Sequence, residues 1–174
     1  MSLEEFMVVT FIGHRKLQAD GNLRARLKEL VLSLVDDRGA DVFLFGSKSE
    51  FDDLCLEVVS EIKKERPYIK RIYARAEYPY IDKDYEDYLL GIYDATYIPE
   101  NVVEAGKAAY VERNRHMIDK ADICVFCYDE NYKTPLACGA RGRAVCDLPK
   151  SGTKVAYEYA FKRKKEIVNV FGHR

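Results

Sequence analysis

The chain has 174 residues, 48% of them apolar and 33% charged, and its formal net charge is −1. This composition is typical of one soluble globular domain and excludes a disordered or fibrous chain. The balanced charge provides no overall attraction to nucleic acid or to an anionic membrane, although a local basic surface is compatible with it. No apolar run approaches the roughly 20 residues that span a bilayer, and the acidic start does not resemble a signal peptide. We therefore expect a cytoplasmic protein that does not enter a membrane.

Short apolar runs alternate with segments of helical period along the chain. The runs that predict strands are 6–12, 41–45, 69–74, 122–128 and 167–171. Apolar residues at helical spacing fill 23–35, 54–62 and 157–165, and a further helix is expected to begin near Ala109. Buried strands that alternate with helices predict a single α/β domain over residues 1–174. We expect a Rossmann-like three-layer sandwich with a mainly parallel sheet of about five strands.

Two stretches do not fit this alternation. The first, Tyr78 to Glu104, is rich in tyrosine, whose rings suit either stacking on a base or burial in a contact between copies of the chain. The second is the connection 131–150, and a connection of this length in a compact domain is usually a functional lid or a disordered segment. This connection contains Cys138 and Cys146, which could form a disulfide with each other or react with oxidants.

The cysteines indicate a reduced protein, because their number, five, is odd and three lie inside predicted elements. Cys124 and Cys127 have the C-x-x-C spacing of zinc ligands. On a strand, however, residues three apart point to opposite faces. We therefore expect these two thiols to pack in the core, and we predict no metal site.

Three turns have the composition of a phosphate site. Gly13-His14-Arg15 follows the first strand, Gly46-Ser47-Lys48-Ser49 follows the second, and Ser151-Gly152-Thr153 precedes the last helix. In open parallel sheets, ligands bind beyond the carboxyl ends of the strands, where helix N-termini direct amide groups outward. Glycine allows close approach of the backbone, and Arg15 can bind an anion through two donors. Together the turns predict a concave surface of hydrogen-bond donors.

Each turn also has a plainer interpretation. Gly13 can serve only a tight turn, and His14 can form a structural hydrogen bond at the strand end. Ser49 and Asp52 have the spacing of a capping box, and Thr153 can be a simple N-cap. Neither a Walker A sequence nor G-x-G-x-x-G is present. The joint placement of the turns, rather than any one of them, favours a ligand site.

The helix near Ala109 carries Glu112-Arg113-Asn114-Arg115-His116-Met117, which is either part of this site or a solvated charged face. Together with Phe11-Ile12-Gly13-His14-Arg15, the turn after the second strand and the segment from Gly152 to Ala160, it resembles the SLOG superfamily. This superfamily includes the LOG phosphoribohydrolases and the Rossmann domain of the DNA-processing protein DprA. The resemblance covers nearly the whole chain, in order.

The resemblance implies a site for a nucleotide or a nucleotide sugar, formed by the three turns with Asp52, Arg113 and Asn114. In LOG enzymes an arginine and a glutamate cleave the N-glycosidic bond of a nucleoside monophosphate, where a carboxylate stabilises the oxocarbenium-like centre. Arg113 matches that arginine, with Asn114 in place of the family's lysine. Glu158 comes two residues later than the family's glutamate, a rotation of about 200° on a helix.

We therefore expect a nucleotide-binding protein with a sensor or accessory role and without a further cofactor. A phosphoribohydrolase that uses Arg113 and Glu158 is the first alternative. Binding of single-stranded DNA in the manner of DprA is a second alternative, which the neutral charge disfavours because such binding requires a continuous basic groove. Assembly of several copies of the chain is left open.

Overall fold

A computed structural model describes residues 6–17, 21–47, 49–77, 81–132 and 151–172. The six strands are β1 (Met7–Gly13), β2 (Ala40–Phe45), β3 (Lys70–Ala74), β4 (Ala95–Tyr97), β5 (Ile123–Cys127) and β6 (Glu166–Asn169). The helices are α1 (Leu23–Asp36), α2 (Glu50–Glu65), α3 (Lys83–Ile92), α4 (Glu100–Val103), α5 (Ala109–Lys120) and α6 (Gly152–Lys162), with a 3-10 turn at Gly106–Ala108. The predictions for Lys48, Cys138, Cys146 and most of the connection 131–150 lie outside the described residues.

The strands form one parallel sheet in the order β4-β3-β2-β1-β5-β6. The chain builds outward from β1 to β4 and then returns to place β5 on the other side of β1. This reversal between β1 and β5 is the point at which open α/β sheets leave a crevice beyond their carboxyl ends. The predicted Rossmann-like sheet is confirmed, and it has one strand more than expected.

Helices cover both faces of the sheet. Apolar residues of α1, α2 and α3 pack on one face, around Phe11, Phe43 and Phe45. Residues of α5 and α6, among them Met117 and Ala156, pack on the other face. The rings of Phe11 and Phe45 stack at 5.4 Å between centroids. In the described part of the chain, no helix has the length and apolarity that crossing a membrane requires.

The additional strand, β4, lies in the tyrosine-rich stretch. It has three residues and pairs with β3 at the sheet edge, from Ile72 opposite Ala95 to Ala74 opposite Tyr97. A strand this short has too few residues to produce a recognisable alternation of apolar and polar side chains. The helix α3 of the same stretch begins after Asp82, whose carboxylate accepts a hydrogen bond from the Tyr85 amide at 2.8 Å.

Candidate functional site

The three predicted turns lie at the carboxyl edge of the sheet. β1 ends at Gly13 and β2 ends at Phe45, and the two strands pair in parallel. α6 leads from this edge back to the start of β6, so its first residue, Gly152, lies there too. A narrow crevice between α5 and α6 is lined by Asn114 and Gly152, among other residues. The fold thus brings the turns and α5 to one edge, as the sequence predicts.

Gly13 and Gly46 are required by the close approach of helices. A Cβ on Gly13 would lie 2.6 Å from Cβ of Phe51, in α2. A Cβ on Gly46 would lie 2.6 Å from both Arg113 Cδ and Met117 Sδ, in α5. Neither glycine has a positive φ, so the backbone conformation at these two positions does not itself require glycine. Both glycines instead let helices on opposite faces pack directly against the strand ends.

Replacing Gly46 by alanine is expected to lower the free energy of unfolding by about 1–3 kcal/mol, because the new methyl group overlaps two packed side chains. Gly152→Ala is the matched control, since a Cβ there meets no atom within 4 Å. Urea denaturation of both variants measures the effect. Equal stability of Gly46→Ala and the wild type would contradict this account of the turn.

The turn between β2 and α2 uses its donors within the protein. Ser49 is the N-cap of α2, and its Oγ accepts a hydrogen bond from the Asp52 amide at 3.1 Å. Ser47 Oγ donates to Ser49 Oγ at 2.8 Å, and the Glu50 amide donates to the Arg15 carbonyl at 3.0 Å. The capping interpretation of Ser49 is confirmed. These internal bonds leave the turn with few donors for a ligand.

The Asp52 carboxyl group is buried beneath this turn, with 2% of the residue exposed. Burial raises its pKa to about 8, although the charge of Arg113 and hydrogen bonds from the Gly46 and Ser47 amides act in the opposite direction. Among the described residues, its Oδ1 atom has no hydrogen-bond partner. At neutral pH the group is mainly protonated, so it supports the turn without presenting a full negative charge.

Arg113 connects the two faces of the sheet across the end of β2. The residue is 3% exposed, and its Nη1 donates a hydrogen bond to the Gly46 carbonyl. Its Nε donates to Asn114 Oδ1 at 3.1 Å. Burial lowers the pKa of Arg113, while neighbouring groups, Tyr73 first among them, raise it. In this arrangement Arg113 holds the turn and the Asn114 side chain in place, and its direct contact with a ligand stays a prediction.

His14 joins the ends of β1 and β5. Its Nε2 accepts a hydrogen bond from the Asp129 amide at 3.0 Å, which requires a neutral ring with its proton on Nδ1. Burial lowers the pKa of His14, in agreement with the neutral ring. The ring also stacks on Tyr132 with 3.8 Å between centroids. The structural hydrogen bond that the sequence allowed is therefore present, and Nδ1 is the remaining donor toward a ligand.

Arg15 is exposed at the edge, on a segment that α2 holds in place. The Glu50 carboxylate binds Lys16 Nζ at 2.7 Å and the Leu17 amide at 2.8 Å. These bonds attach the segment after β1 to the first turn of α2. The Arg15 guanidinium therefore extends from an anchored backbone.

The N-terminus of α6 keeps donors that the β2–α2 turn lacks. Ser151 is its N-cap, and Ser151 Oγ accepts a hydrogen bond from the Lys154 amide at 3.1 Å. The cap is therefore Ser151 and not Thr153, which is buried inside the first turn. Among the described residues, the amides of Gly152 and Thr153 have no hydrogen-bond partner. Because Asn114 Oδ1 accepts from Arg113, its Nδ2 atom remains a donor beside the same crevice.

Glu158 lies on the exposed side of α6, whereas Thr153, Ala156 and Ala160 form the buried side. Two residues before Glu158, at the position of the glutamate in LOG enzymes, the chain has Ala156, which is 3% exposed. No carboxylate therefore occupies that helix position. The catalytic role of Glu158 stays a prediction, which this geometry does not favour.

Cys124 and Cys127 lie on opposite faces of the sheet, as predicted. Cys124 packs with α5 and α6, and Cys127 packs with α1 and α2. Burial raises the pKa of the Cys124 thiol to about 12. Among the residues that the structure describes, no three His, Cys, Asp or Glu side chains are grouped so as to hold a metal ion.

The described tyrosines of the tyrosine-rich stretch have different surroundings. Tyr93 stacks on Tyr73 at 5.0 Å within the core, and burial raises its pKa. Tyr97 Oη lies 3.0 Å from His116 Nε2. Tyr88, on α3, is exposed. Stacking on a base and burial between copies both stay open for the exposed ring, while Tyr78 and Tyr80 lie outside the described residues.

A wide groove of about 630 Å³ lies between α4 and α5. Glu100, Glu104 and Glu112 line it. Phosphate ligands are repelled by such a lining, because like charges raise the free energy of binding. The groove is therefore a poorer nucleotide site than the carboxyl edge, despite its size.

Sequence reasoning missed a polar group at the end of β3. Tyr73 Oη donates to Glu77 Oε1 at 3.0 Å, and both residues raise the pKa of Arg113. Arg75 follows the last residue of β3, and two of its guanidinium nitrogens are buried without a hydrogen-bond partner in the described part of the chain. These residues could have been found from the sequence. Ligands of open α/β sheets bind beyond the carboxyl ends of the strands, and this applies to β3 as it does to β1 and β2.

No protein-family model matches the chain, and no curated protein matches it either. The SLOG resemblance accordingly stays an expectation that depends on the residues quoted for it.

Proposed function

We propose that the protein binds a nucleotide or nucleotide derivative at the carboxyl edge of the sheet, with its phosphate at the start of α6, beside the crevice between α5 and α6. The observation that carries the proposal is the group of donors at the start of α6. The amides of Gly152 and Thr153 lack partners among the described residues, and Gly152 lines the same crevice as Asn114. A helix N-terminus with unpaired amides stabilises a phosphate through hydrogen bonds and through the helix dipole.

The same observations favour α6 over α2 as the phosphate site. The first turn of α2 donates to Ser49 and Arg15 within the protein. Both helices have the same N-cap bond, from Asp52 to Ser49 in α2 and from Lys154 to Ser151 in α6. The first amide of α2, that of Glu50, also donates to the Arg15 carbonyl, whereas the first amide of α6, that of Gly152, has no partner among the described residues. His14 lies where the strand order reverses, between β1 and β5. Its Nδ1–H group provides a polar contact for the part of the ligand beyond the phosphate.

Binding without cleavage is the preferred form of the proposal, as in a sensor or accessory protein. Ala156 occupies the helix position of the LOG glutamate, and Asp52 is buried and mainly protonated at neutral pH. Cleavage of an N-glycosidic bond requires a carboxylate beside the developing positive charge. The structure offers Glu158 only on the exposed side of α6.

AMP and adenosine test the proposal, with thermal unfolding and calorimetry as readouts. We expect AMP to raise the melting temperature and adenosine to do so far less. Asn114→Asp should weaken AMP binding by about tenfold or more, because the new carboxylate repels the phosphate. Asn114→Lys should preserve or strengthen it. Equal binding of AMP by the wild type and Asn114→Asp would exclude this crevice as the phosphate site.

Release of free adenine from AMP separates binding from hydrolysis. We expect none at high protein concentration. Release that disappears in Glu158→Gln would instead establish the phosphoribohydrolase alternative. Binding of AMP without release would support the sensor or accessory role.

A further inference from the structure

Arg75, just after β3, has two buried guanidinium nitrogens, Nε and Nη1, that have no hydrogen-bond partner among the described residues. Both lie at the edge where the ligand is proposed to bind. Arginine is always protonated in proteins, and a buried donor left unpaired typically costs about 1–3 kcal/mol. Such an arrangement does not stabilise the fold. It is therefore expected at a place where a bound anion completes the hydrogen bonding.

The pairing of β2 with β3 locates Arg75 within the edge. Phe45 and Tyr73 are the last pair of the β2–β3 register, and Arg75 comes two residues after Tyr73, next to the turn that follows β2. Neighbouring strands are about 4.8 Å apart. The Arg75 amide donates to the Tyr97 carbonyl at 2.8 Å, which extends the pairing with β4 by one residue. Arg75 thus continues β3, and strand alternation places its side chain on the face of Tyr73.

The charges around this position favour an anion. On the same side of the edge, Tyr73 Oη is bonded to Glu77, and Arg113 is close enough for both to alter its pKa. Asp52, with a pKa of about 8, is mainly protonated at neutral pH. Arg75 and Arg113 therefore bring two guanidinium groups to this part of the edge, beside the Glu77 carboxyl group.

The strand order separates Arg75 from the phosphate site at α6. β3 and β5 are three strand spacings apart in the sheet, or about 14 Å, and α6 follows β5 in the chain. Arg75 also lies on the face of the sheet that α1, α2 and α3 cover, whereas α6 covers the other face. One phosphate therefore cannot contact both places. A ligand that uses both must carry a second anionic group some distance from the first.

We propose that Arg75 binds a second phosphate of the ligand, so that the preferred ligand is a nucleotide derivative with two separate phosphate groups. The nucleotide part of this inference rests on the proposed function. The anion site at Arg75 does not, because the unpaired guanidinium is its basis.

Calorimetry with AMP and with adenosine 3′,5′-bisphosphate tests the second phosphate. We expect the wild type to bind the bisphosphate at least about tenfold more tightly than AMP, and Arg75→Ala to bind the two about equally. Arg163→Ala is the matched control, since Arg163 follows α6 at the opposite edge and pairs with Asp119. An unchanged preference in Arg75→Ala, or no preference in the wild type, overturns the proposal.

Thermal unfolding of the unliganded protein separates a binding role from a structural one. Because Nε and Nη1 of Arg75 have no partner among the described residues, Arg75→Ala should melt at the same temperature as the wild type or higher. A clear fall in the melting temperature would assign Arg75 to the fold and not to a ligand.

NMR with inorganic phosphate keeps this inference distinct from the proposed function. The Nε–H signal of Arg75, assigned by its loss in Arg75→Lys, should shift on titration with phosphate. If the wild type binds neither nucleotide yet this signal shifts, the nucleotide proposal fails and the anion site stands. If the signal does not respond to phosphate or to the bisphosphate, the anion site is refuted.

Discussion

Arg113→Ala is expected to lower the free energy of unfolding by about 2–4 kcal/mol. The substitution leaves the Gly46 carbonyl without the Arg113 donor and removes a long buried side chain that packs against Gly46. The return of a buried cation to water offsets part of this loss, because burial already lowers the pKa of Arg113. Urea denaturation at neutral pH measures the change.

The same substitution should abolish the thermal shift by AMP. Arg113 Nε holds the Asn114 amide by its oxygen, and without this bond the amide donors are no longer fixed toward the crevice.

Arg113→Lys distinguishes charge from geometry, since a lysine cannot reproduce the two bonds of the planar guanidinium. Arg38→Ala is the control, since Arg38 is exposed and pairs with Glu166 at the start of β6, and it should change stability by less than about 1 kcal/mol. An unchanged AMP shift in Arg113→Ala would remove this residue from the site.

Asp52→Asn should make the protein more stable than the wild type at alkaline pH. The pKa of Asp52 is raised from 3.8 to about 8 in the folded protein, so the folded state retains a proton that the unfolded state has released. Stability of the wild type therefore falls as the pH rises between these two values, by up to about 1.4 kcal/mol per pH unit. Asparagine resembles the protonated acid and does not titrate.

Urea denaturation at pH 5 and pH 8 measures this effect as a difference between variant and wild type. The lowered pKa values of His14 and His116 give a pH dependence of opposite sign, but it is common to both proteins and cancels in the difference. Asp53→Asn is the matched control, because Asp53 is exposed at the next position. If the difference in the free energy of unfolding between Asp52→Asn and the wild type is the same at pH 5 and pH 8, Asp52 is ionised in the folded protein and the raised pKa is refuted.

The spacing of apolar residues and the capping residues were sufficient to predict most of the helices and strands. The start of α5 at Ala109 and the cap at Ser49 follow the prediction. The period of two along a strand correctly places Cys124 and Cys127 on opposite faces. The omission of β4 has the same origin, since a strand of three residues does not complete a pattern.

The turn residues were recognised from the sequence, but their hydrogen bonds were not. Ser47 and Ser49 have the composition of a phosphate turn, yet they bond to each other. Ser151 and Gly152 have a similar composition, and the amide of Gly152 has no partner among the described residues. Composition shows which groups can donate, whereas the acceptor depends on residues that are distant in the chain.

Apolar periodicity and turn chemistry act over a few neighbouring residues, and they were enough to predict the α/β class, the parallel sheet and the edge with the three turns. The surroundings of Arg113, Asp52 and Arg75 depend on contacts between distant parts of the chain. Arg113 bonds to a carbonyl 67 residues away, the pKa of Asp52 is raised because the fold buries it, and two buried nitrogens of Arg75 have no acceptor among the described residues. Burial and long-range pairing set these states, and neither is encoded in the residues next to them.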